Sequence, residues 1–187
     1  MTERILYQFP ISHYCEKSRW QLDYKGLAYR TRNLLPGPHR LRTQWMARIN
    51  TLPVLRDGQR VVGDSTKIAY YLEKHYPERS LIPTDAESRA RVIELEQQLD
   101  RVAVHVRRWL YGQIIDRPEV MDAMLDPYRL PSPVQKVLAP VTREGVRRLY
   151  RIEPKAVAHS GQRLEEGLAL VEETLRRGNG RYLVGER

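Results

Sequence analysis

The sequence predicts a small mixed α/β domain followed by an all-helical domain, and two observations carry this prediction. Over about the first eighty residues, strand-like apolar runs alternate with amphipathic helical runs in the order β-α-β-α-β-β-α. From residue 84 onward only helical periodicity remains. We therefore expect a four-stranded mixed sheet in residues 1–76, a linker at 77–83 and a helical domain at 84–187.

The elements of the first domain follow from periodicity and turn chemistry. Ile5–Phe9 forms an apolar strand, and a helix follows at Cys15–Lys25 with Trp20 and Leu22 facing inward. The remaining elements are a strand at Tyr29–Asn33, a helix at His39–Ile49, a hairpin of Val54–Arg56 and Gln59–Val62 around Asp57-Gly58, and a helix capped by Asp64 or Ser65.

The second domain is expected to be helical throughout. Thr84 and Glu87 have the spacing of a capping box that starts a long helix. An apolar stripe on that helix must be covered by other helices; it consists of Val92, Leu95, Leu99, Val102, Val106 and Leu110. Prolines at 127, 131, 133 and 140 divide the next part of the chain, and a last amphipathic stretch covers residues 156–175.

Composition excludes several classes of protein. A single cysteine, Cys15, rules out an internal disulfide framework and a cysteine-cluster zinc site, and the five histidines lack metal-ligand spacing, so we expect no metal. No run approaches the roughly 18 apolar residues of a membrane span, and the N-terminus lacks the apolar core of a signal peptide. We therefore expect a cytoplasmic protein without a membrane partner.

The net charge of +9 is uneven along the chain. Residues 1–80 hold 14 Lys and Arg against 7 Asp and Glu, whereas residues 81–187 hold 18 against 16. A basic N-terminal half suits a small anionic ligand, and a nucleic-acid surface is the alternative. Because the arginines are scattered and do not follow one helix face, we do not expect a nucleic-acid partner.

The most informative segment is Ser12-His13-Tyr14-Cys15-Glu16-Lys17, between the first strand and the first helix. A strand-to-helix turn brings a hydroxyl, a thiol and backbone N–H groups together, where an anion such as a thiolate can bind. Ser12 is also a suitable helix cap without chemistry, and Cys15 a suitable buried apolar thiol.

Four segments, in their order along the chain, resemble the glutathione transferases, in particular the bacterial type with a Ser-His-Tyr-Cys-Glu-Lys turn. They are the turn at Ser12, the Leu52-Pro53-Val54-Leu55 segment, the Asp57-Gly58 hairpin and Gly63-Asp64-Ser65-Thr66. The resemblance implies that the first domain is thioredoxin-like. It is dense over residues 5–85 and returns at Tyr182–Arg187, a phrase that further helices follow in relatives. We therefore expect a second domain that is truncated at its C-terminus.

The resemblance implies glutathione as co-substrate and assigns residues to its parts. Ser12 faces the sulfur and stabilises the thiolate, and Leu52-Pro53 is a cis-proline turn whose backbone pairs with the cysteinyl unit. Asp64 and Ser65 receive the γ-glutamyl end. Thr51 stands where relatives carry Lys or Gln for the glycyl carboxylate; the residues that can replace it are His39, Arg40 and Arg48.

The implied reaction is attack of the glutathione thiolate on a small hydrophobic electrophile, as in detoxification, by a protein that usually forms homodimers. The wall candidates for the electrophile pocket are Trp109, Tyr111 and Tyr128, although internal packing suits them better. Tyr7 and Tyr14 are weaker candidates for a phenol at the sulfur. The alternatives are a Cys15-dependent thiol-transferase or dehydroascorbate reductase, and a non-catalytic binding or assembly module.

Overall fold

The computed structural model describes residues 3–178 and 180–185. Its contacts divide the chain into two compact units, residues 1–82 with 126–129, and residues 83–125 with 130–187. Glu186 and Arg187, which end the phrase that resembles the transferases, lie outside the described residues. Among the described residues, no helix is long and apolar enough to cross a membrane.

The first unit has the predicted order of elements, and the mixed four-stranded sheet is confirmed. Its elements are β1 (Arg4–Gln8), α1 (His13–Tyr24), β2 (Arg30–Asn33), α2 (His39–Ala47), β3 (Val54–Asp57), β4 (Arg60–Gly63) and α3 (Ser65–His75). Tyr76 to Asp85, which includes the predicted linker, has neither helix nor strand.

The sheet has the strand order β2-β1-β3-β4. β1 runs parallel to β2 and antiparallel to β3, and β3 runs antiparallel to β4. In this register Tyr7 pairs with Val54, and Val54 pairs with Gly63. The end of β1, the start of β3 and the end of β4 therefore meet at one edge of the sheet.

Two apolar clusters lie on the sheet. Leu6 and Leu55 pack with Leu22 of α1 and with Ile68 and Leu72 of α3. The second cluster contains Tyr7, Cys15, Leu34, Leu52 and Val54, with Met46, Ala47 and Ile49 from α2 and the loop after it packed against it. Because adjacent strand residues enter different clusters, the pleat of β1 and β3 separates the two layers.

The prediction that Trp20 faces inward is wrong, because its side chain is 68% exposed. The buried residues of α1 are Cys15, Ser18, Gln21 and Leu22. Their spacing defines one helix face, and Trp20 is outside it. Ser18 fits the core because its side chain is small. Gln21 fits because its Nε2 donates a hydrogen bond to the Ser65 carbonyl at 3.4 Å.

Lys25, at the end of α1, forms a buried ion pair with α3 and a hydrogen bond to the chain after it. Its side chain is 0% exposed, and Nζ lies 2.6 Å from Glu73 Oε1 and 2.7 Å from the Tyr76 carbonyl. Burial would raise the pKa of Glu73, but hydrogen bonds from Lys25, Ser80 and Leu81 outweigh it and hold that pKa below its usual value.

The second unit is helical, as predicted, and its helices are α4 (Ala86–Ile114), α5 (Pro118–Leu125), α6 (Ser132–Tyr150) and α7 (Pro154–Arg177). Two local predictions are wrong. The cap of α4 is Asp85, which accepts a hydrogen bond from the Ser88 N–H at 2.8 Å, rather than Thr84. Pro140 does not divide two helices, because it lies inside α6.

Glycines let α4 and α7 approach closely. A Cβ on Gly167 of α7 would lie 2.6 Å from Val102 Cγ1, and a Cβ on Gly112 of α4 would lie 2.6 Å from Val157 Cγ2. An apolar cluster in this unit contains Ile115 at the C-cap of α4, Met121 of α5 and Val146 of α6. The apolar stripe predicted for α4 is thus covered in part by α7, whereas Leu110 remains 40% exposed.

We predict that Lys25→Met lowers the free energy of unfolding by about 3–5 kcal/mol, because it leaves the Glu73 carboxylate and several carbonyls without their buried cation. Lys74→Met, at the exposed neighbour of Glu73, is the matched control and should change it by less than about 0.5 kcal/mol. Denaturant unfolding of both variants measures the difference, and equal effects would contradict the prediction.

The same ion pair sets a pH dependence. Because the pKa of Glu73 is lowered by folding, its contribution is present above the usual titration range of a carboxyl group and is lost as pH falls through the lowered pKa. The free energies of unfolding of wild type and Lys25→Met should therefore differ less at acid pH than at neutral pH.

Candidate functional site

Three predicted site residues lie in segments that leave the sheet at the edge that the strand register defines. Ser12 follows β1, Pro53 precedes β3, and Asp64 follows β4. A backbone hydrogen bond joins the last two, from the Asp64 N–H to the Pro53 carbonyl at 3.1 Å. α1 and α3 both begin here, so the positive ends of two helix dipoles lie at this edge.

Ser12 occupies the N-cap position of α1 but does not cap the helix with its side chain. Its backbone N–H donates to the Phe9 carbonyl at 3.1 Å, and its carbonyl accepts from the Glu16 N–H at 2.9 Å. The residue is 8% exposed. The backbone is therefore held at both ends, and the hydroxyl is not used as a helix cap.

Cys15 lies one turn further along α1 and is 0% exposed. Its Sγ accepts a hydrogen bond from the Phe9 N–H at 3.4 Å. The side chain packs in the cluster of Tyr7, Leu34, Leu52 and Val54. In this structure no solvent reaches the thiol, which is the environment of a structural cysteine.

Sequence reasoning missed a hydrogen-bond network around Arg19 at the loop of residues 9–12, which we call the Ser12 loop. The Arg19 guanidinium donates to the Pro10 carbonyl at 3.0 Å, and it also contacts Gln8 Oε1 and the Glu16 carboxylate. Gln8 Nε2 in turn donates to Asn33 Oδ1 at 3.1 Å. The network ties the loop to β1, β2 and α1. The only sequence signal was the spacing of Glu16 and Arg19, which allows an ion pair on one helix face.

The loop before β3 has the expected conformation at its centre. The Leu52–Pro53 peptide bond is cis. Leu52 is 8% exposed, and it lies just outside the sheet ladder, which begins at Val54. Thr51 is exposed at the start of this turn.

Asp64 caps α3 from an unusual backbone conformation. Its Oδ1 accepts from the N–H groups of Thr66 at 3.0 Å and Lys67 at 3.1 Å. Its φ is +79°, where a residue with a Cβ is strained. The residue is exposed, and Ser65 beside it is buried. Strain of this kind, kept at an exposed carboxylate, is typical of functional positions.

Of the three candidates for the glycyl carboxylate, His39 has the contacts nearest the site. Its ring lies 4.7 Å from the ring of Phe9, in the loop that leads to Ser12. Its Nδ1 accepts from the Gly37 N–H at 3.1 Å. Burial, followed by the positive charge of Arg40, lowers the pKa of His39, so the ring is neutral at pH 7. Arg40 and Arg48 are exposed.

The aromatic candidates are mostly packing residues. Tyr7 is 2% exposed, with the Arg42 guanidinium 5.2 Å from its ring centroid. The Tyr14 ring lies tilted beside that of His13, with the ring centroids 4.2 Å apart. Tyr111 packs in the cluster around Ile115, and burial raises its pKa to about 12. Trp109 is 41% exposed and would contact a Cβ on Gly161, and Tyr128 lies in the short 3-10 segment Asp126–Tyr128.

An open groove of about 510 Å³ runs along the outer face of α1. Its lining residues are His13, Glu16, Lys17, Trp20, Gln21, Tyr24 and Leu81, which include none of the predicted site residues. Within the part of the chain that the structure describes, no group of three or more His, Cys, Asp or Glu side chains is placed to hold a metal ion.

Residues 6–80 match the family model of the glutathione S-transferase N-terminal domain. Glutathione S-transferase 1 of Dianthus caryophyllus is 38% identical over 90 residues, which cover 46% of this chain and 40% of that protein. The zeta-class glutathione S-transferase of Euphorbia esula is 37% identical over 90 residues, or 46% of this chain and 39% of that protein. The chain thus spans about two fifths of these relatives.

Solved structures share the fold over nearly the whole chain. A glutathione S-transferase of Methylobacterium radiotolerans, in complex with glutathione sulfonate, is 22% identical with a TM-score of 0.68, and the match covers 100% of this chain and 72% of that one. The enzyme of the Antarctic clam Laternula elliptica is 17% identical with a TM-score of 0.66, covering 99% and 71%. Residues 6–80 of the chain are therefore similar to the N-terminal domain of the glutathione S-transferases.

Proposed function

We propose that this protein is a glutathione transferase, which activates the thiol of bound glutathione for attack on a small hydrophobic electrophile. The observation that supports the proposal is that the Ser12 hydroxyl does not cap α1, in a segment that leaves the sheet at the same edge as those of Pro53 and Asp64. A hydroxyl at a helix start is a suitable donor for a thiolate. The similarity of residues 6–80 to the N-terminal domain of glutathione S-transferases supports glutathione as the thiol.

The proposed role of Ser12 is to donate its hydroxyl hydrogen to the sulfur. This bond stabilises the thiolate more than the thiol, and the N-terminus of the twelve-residue helix α1 adds a positive partial charge. Lowering the pKa of a thiol by about two units requires about 2.7 kcal/mol, which one charge-assisted hydrogen bond and a helix end can supply. Ser12 forms no covalent bond with the substrate in this mechanism.

The proposed peptide grip uses the other two segments of the edge. The backbone of Leu52 pairs with the cysteinyl unit, since this residue precedes the first ladder pair of β3. The Asp64 carboxylate, whose Oδ1 already accepts two N–H groups, binds the γ-glutamyl ammonium group through Oδ2. Ser65 and the start of α3 receive the γ-glutamyl carboxylate.

In this proposal the glycyl carboxylate lies between Thr51 and the loop from Phe9 to Ser12, and its nearest donor is His39. Because Nδ1 of His39 accepts from Gly37, the neutral ring carries its proton on Nε2. Arg40 and Arg48 add long-range attraction for the carboxylate from α2 and its end.

The Cys15-dependent alternative is less well supported. A thiol-transferase nucleophile must reach a disulfide in solvent. Cys15 is 0% exposed, and its sulfur accepts a hydrogen bond from the Phe9 N–H. The proposed homodimer, cytoplasmic location and role in detoxification rest on the family resemblance alone. A non-catalytic module on this fold is one outcome of a glutathione-binding measurement.

We predict that Ser12→Ala lowers kcat/KM for conjugation of a chlorodinitroaromatic by about 100-fold, the equivalent of about 2.7 kcal/mol, and leaves the glutathione Kd nearly unchanged. Ser12→Thr keeps a hydroxyl and should recover part of the rate. Cys15→Ser should conjugate like wild type. A selective loss of disulfide exchange in Cys15→Ser would support the thiol-transferase instead, and no glutathione binding at millimolar concentration would leave only the non-catalytic module.

We predict that Asp64→Gly and Asp64→Ala separate the structural role of this residue from its ligand role. Glycine relieves the strain of φ +79° and is a fair cap, so Asp64→Gly should keep its unfolding free energy within about 1 kcal/mol of wild type. Asp64→Ala should lose about 1–2 kcal/mol. Both should bind glutathione at least about tenfold more weakly, and a calorimetric titration in which Asp64→Gly binds normally would contradict the proposed ammonium contact.

A further inference from the structure

The outer surface of α2 exposes two large apolar side chains that the first unit does not use. Leu41 is 81% exposed and Trp45 is 85% exposed, and they stand four residues apart on one face of the helix. Arg40 and Arg42 lie on either side of this stripe, and Arg48 follows at the C-cap. We call these five residues the α2 surface.

The α2 surface lies in a segment without negative charge. Residues 26–56 contain six arginines and no Asp or Glu. Arg40, Arg42 and Arg48 are exposed, and none of them forms an ion pair with a described residue. Arg42 does contact a ring, that of Tyr7, from outside the sheet. The cations around Leu41 and Trp45 are therefore available to an anionic partner.

Fold stability does not explain this composition. α2 contacts the sheet through a different face, with Met46, Ala47 and Ile49 packed in the cluster of Tyr7 and Val54. Its buried polar residue, Thr43, also lies away from the stripe. A tryptophan this exposed on a described helix contributes little to the core and keeps apolar area in water.

We propose that the α2 surface docks on an anionic membrane surface, with Trp45 and Leu41 in the interfacial region and the three arginines at acidic headgroups. Tryptophan favours the bilayer interface, and flanking arginines can reach headgroups while their stems stay apolar. An inserted apolar group alone attaches a protein to a membrane only marginally, whereas an apolar group combined with a basic cluster gives stable reversible binding. The α2 surface contains both.

A bilayer fits this surface better than the other anionic partners. A specific protein interface needs about 800 Å² on each side, far more than two side chains offer, and the stripe protrudes from the helix. Single-stranded nucleic acid requires successive aromatic platforms, and the α2 surface has one ring. The inference concerns a helix lying on the membrane, which the absence of a spanning helix among the described residues does not address. Membrane docking does not rest on the proposed transferase activity, although Arg40 and Arg48 have a role in both proposals.

The test is sedimentation of the full chain with vesicles of phosphatidylcholine alone and of phosphatidylcholine with about 30% phosphatidylglycerol. We expect at least about tenfold stronger partitioning to the anionic vesicles, and its loss at about 0.5 M salt. The double variant L41S/W45S should lower partitioning by about tenfold or more, and Arg42→Gln should lower it only on anionic vesicles.

Trp20→Ser is the matched control, since Trp20 is also exposed but lies on α1 outside the basic segment; it should partition like wild type. Because all substituted side chains are exposed, melting curves should show that the variants fold. Equal partitioning to neutral and anionic vesicles, or binding that L41S/W45S retains in full, would overturn the proposal. So would absence of vesicle binding alongside binding to poly-glutamate or to single-stranded DNA, which would identify a different anionic partner.

Discussion

The register of three strands is the constraint on which the rest of the first unit depends. Tyr7 pairs with Val54 and Val54 with Gly63, so the segments that begin at Phe9, end at Pro53 and begin at Asp64 all lie at one edge of the sheet. The hydrogen bond from the Asp64 N–H to the Pro53 carbonyl holds two of them together. A shift of one residue would move every side chain of the shifted strand to the opposite face of the sheet and separate these segments.

Electrostatics then decides what such an edge can bind. Two helices start there, so the positive ends of their dipoles make the edge favourable for anions. Asp64 adds one negative charge at the point where an ammonium group can meet it. A tripeptide with two carboxylates, one ammonium group and an ionisable thiol matches this distribution. The hydrogen bond from Arg19 to the Pro10 carbonyl holds the segment between β1 and Ser12 in place.

Much of this architecture was predictable because local patterns report local structure. Strand alternation, the Asp57-Gly58 turn and the cap at Asp64 depend on neighbouring residues, and the structure agrees with each of them. Trp20 was misplaced because hydrophobicity alone ranks it above Ser18 and Gln21, which fill the core face through small size or hydrogen bonds. The contacts of Arg19 with Gln8 and Pro10 link a helix to a loop and a strand, and residue periodicity contains no information about such pairs.

The proposed mechanism requires that this edge of the sheet holds the sulfur of glutathione as an anion. An ultraviolet difference titration of the protein mixed with glutathione measures the ionisation directly, because the thiolate absorbs where the thiol does not. We expect the bound thiol to titrate about two pKa units below free glutathione in the wild-type protein. A bound thiol that titrates with the pKa of free glutathione would contradict the mechanism.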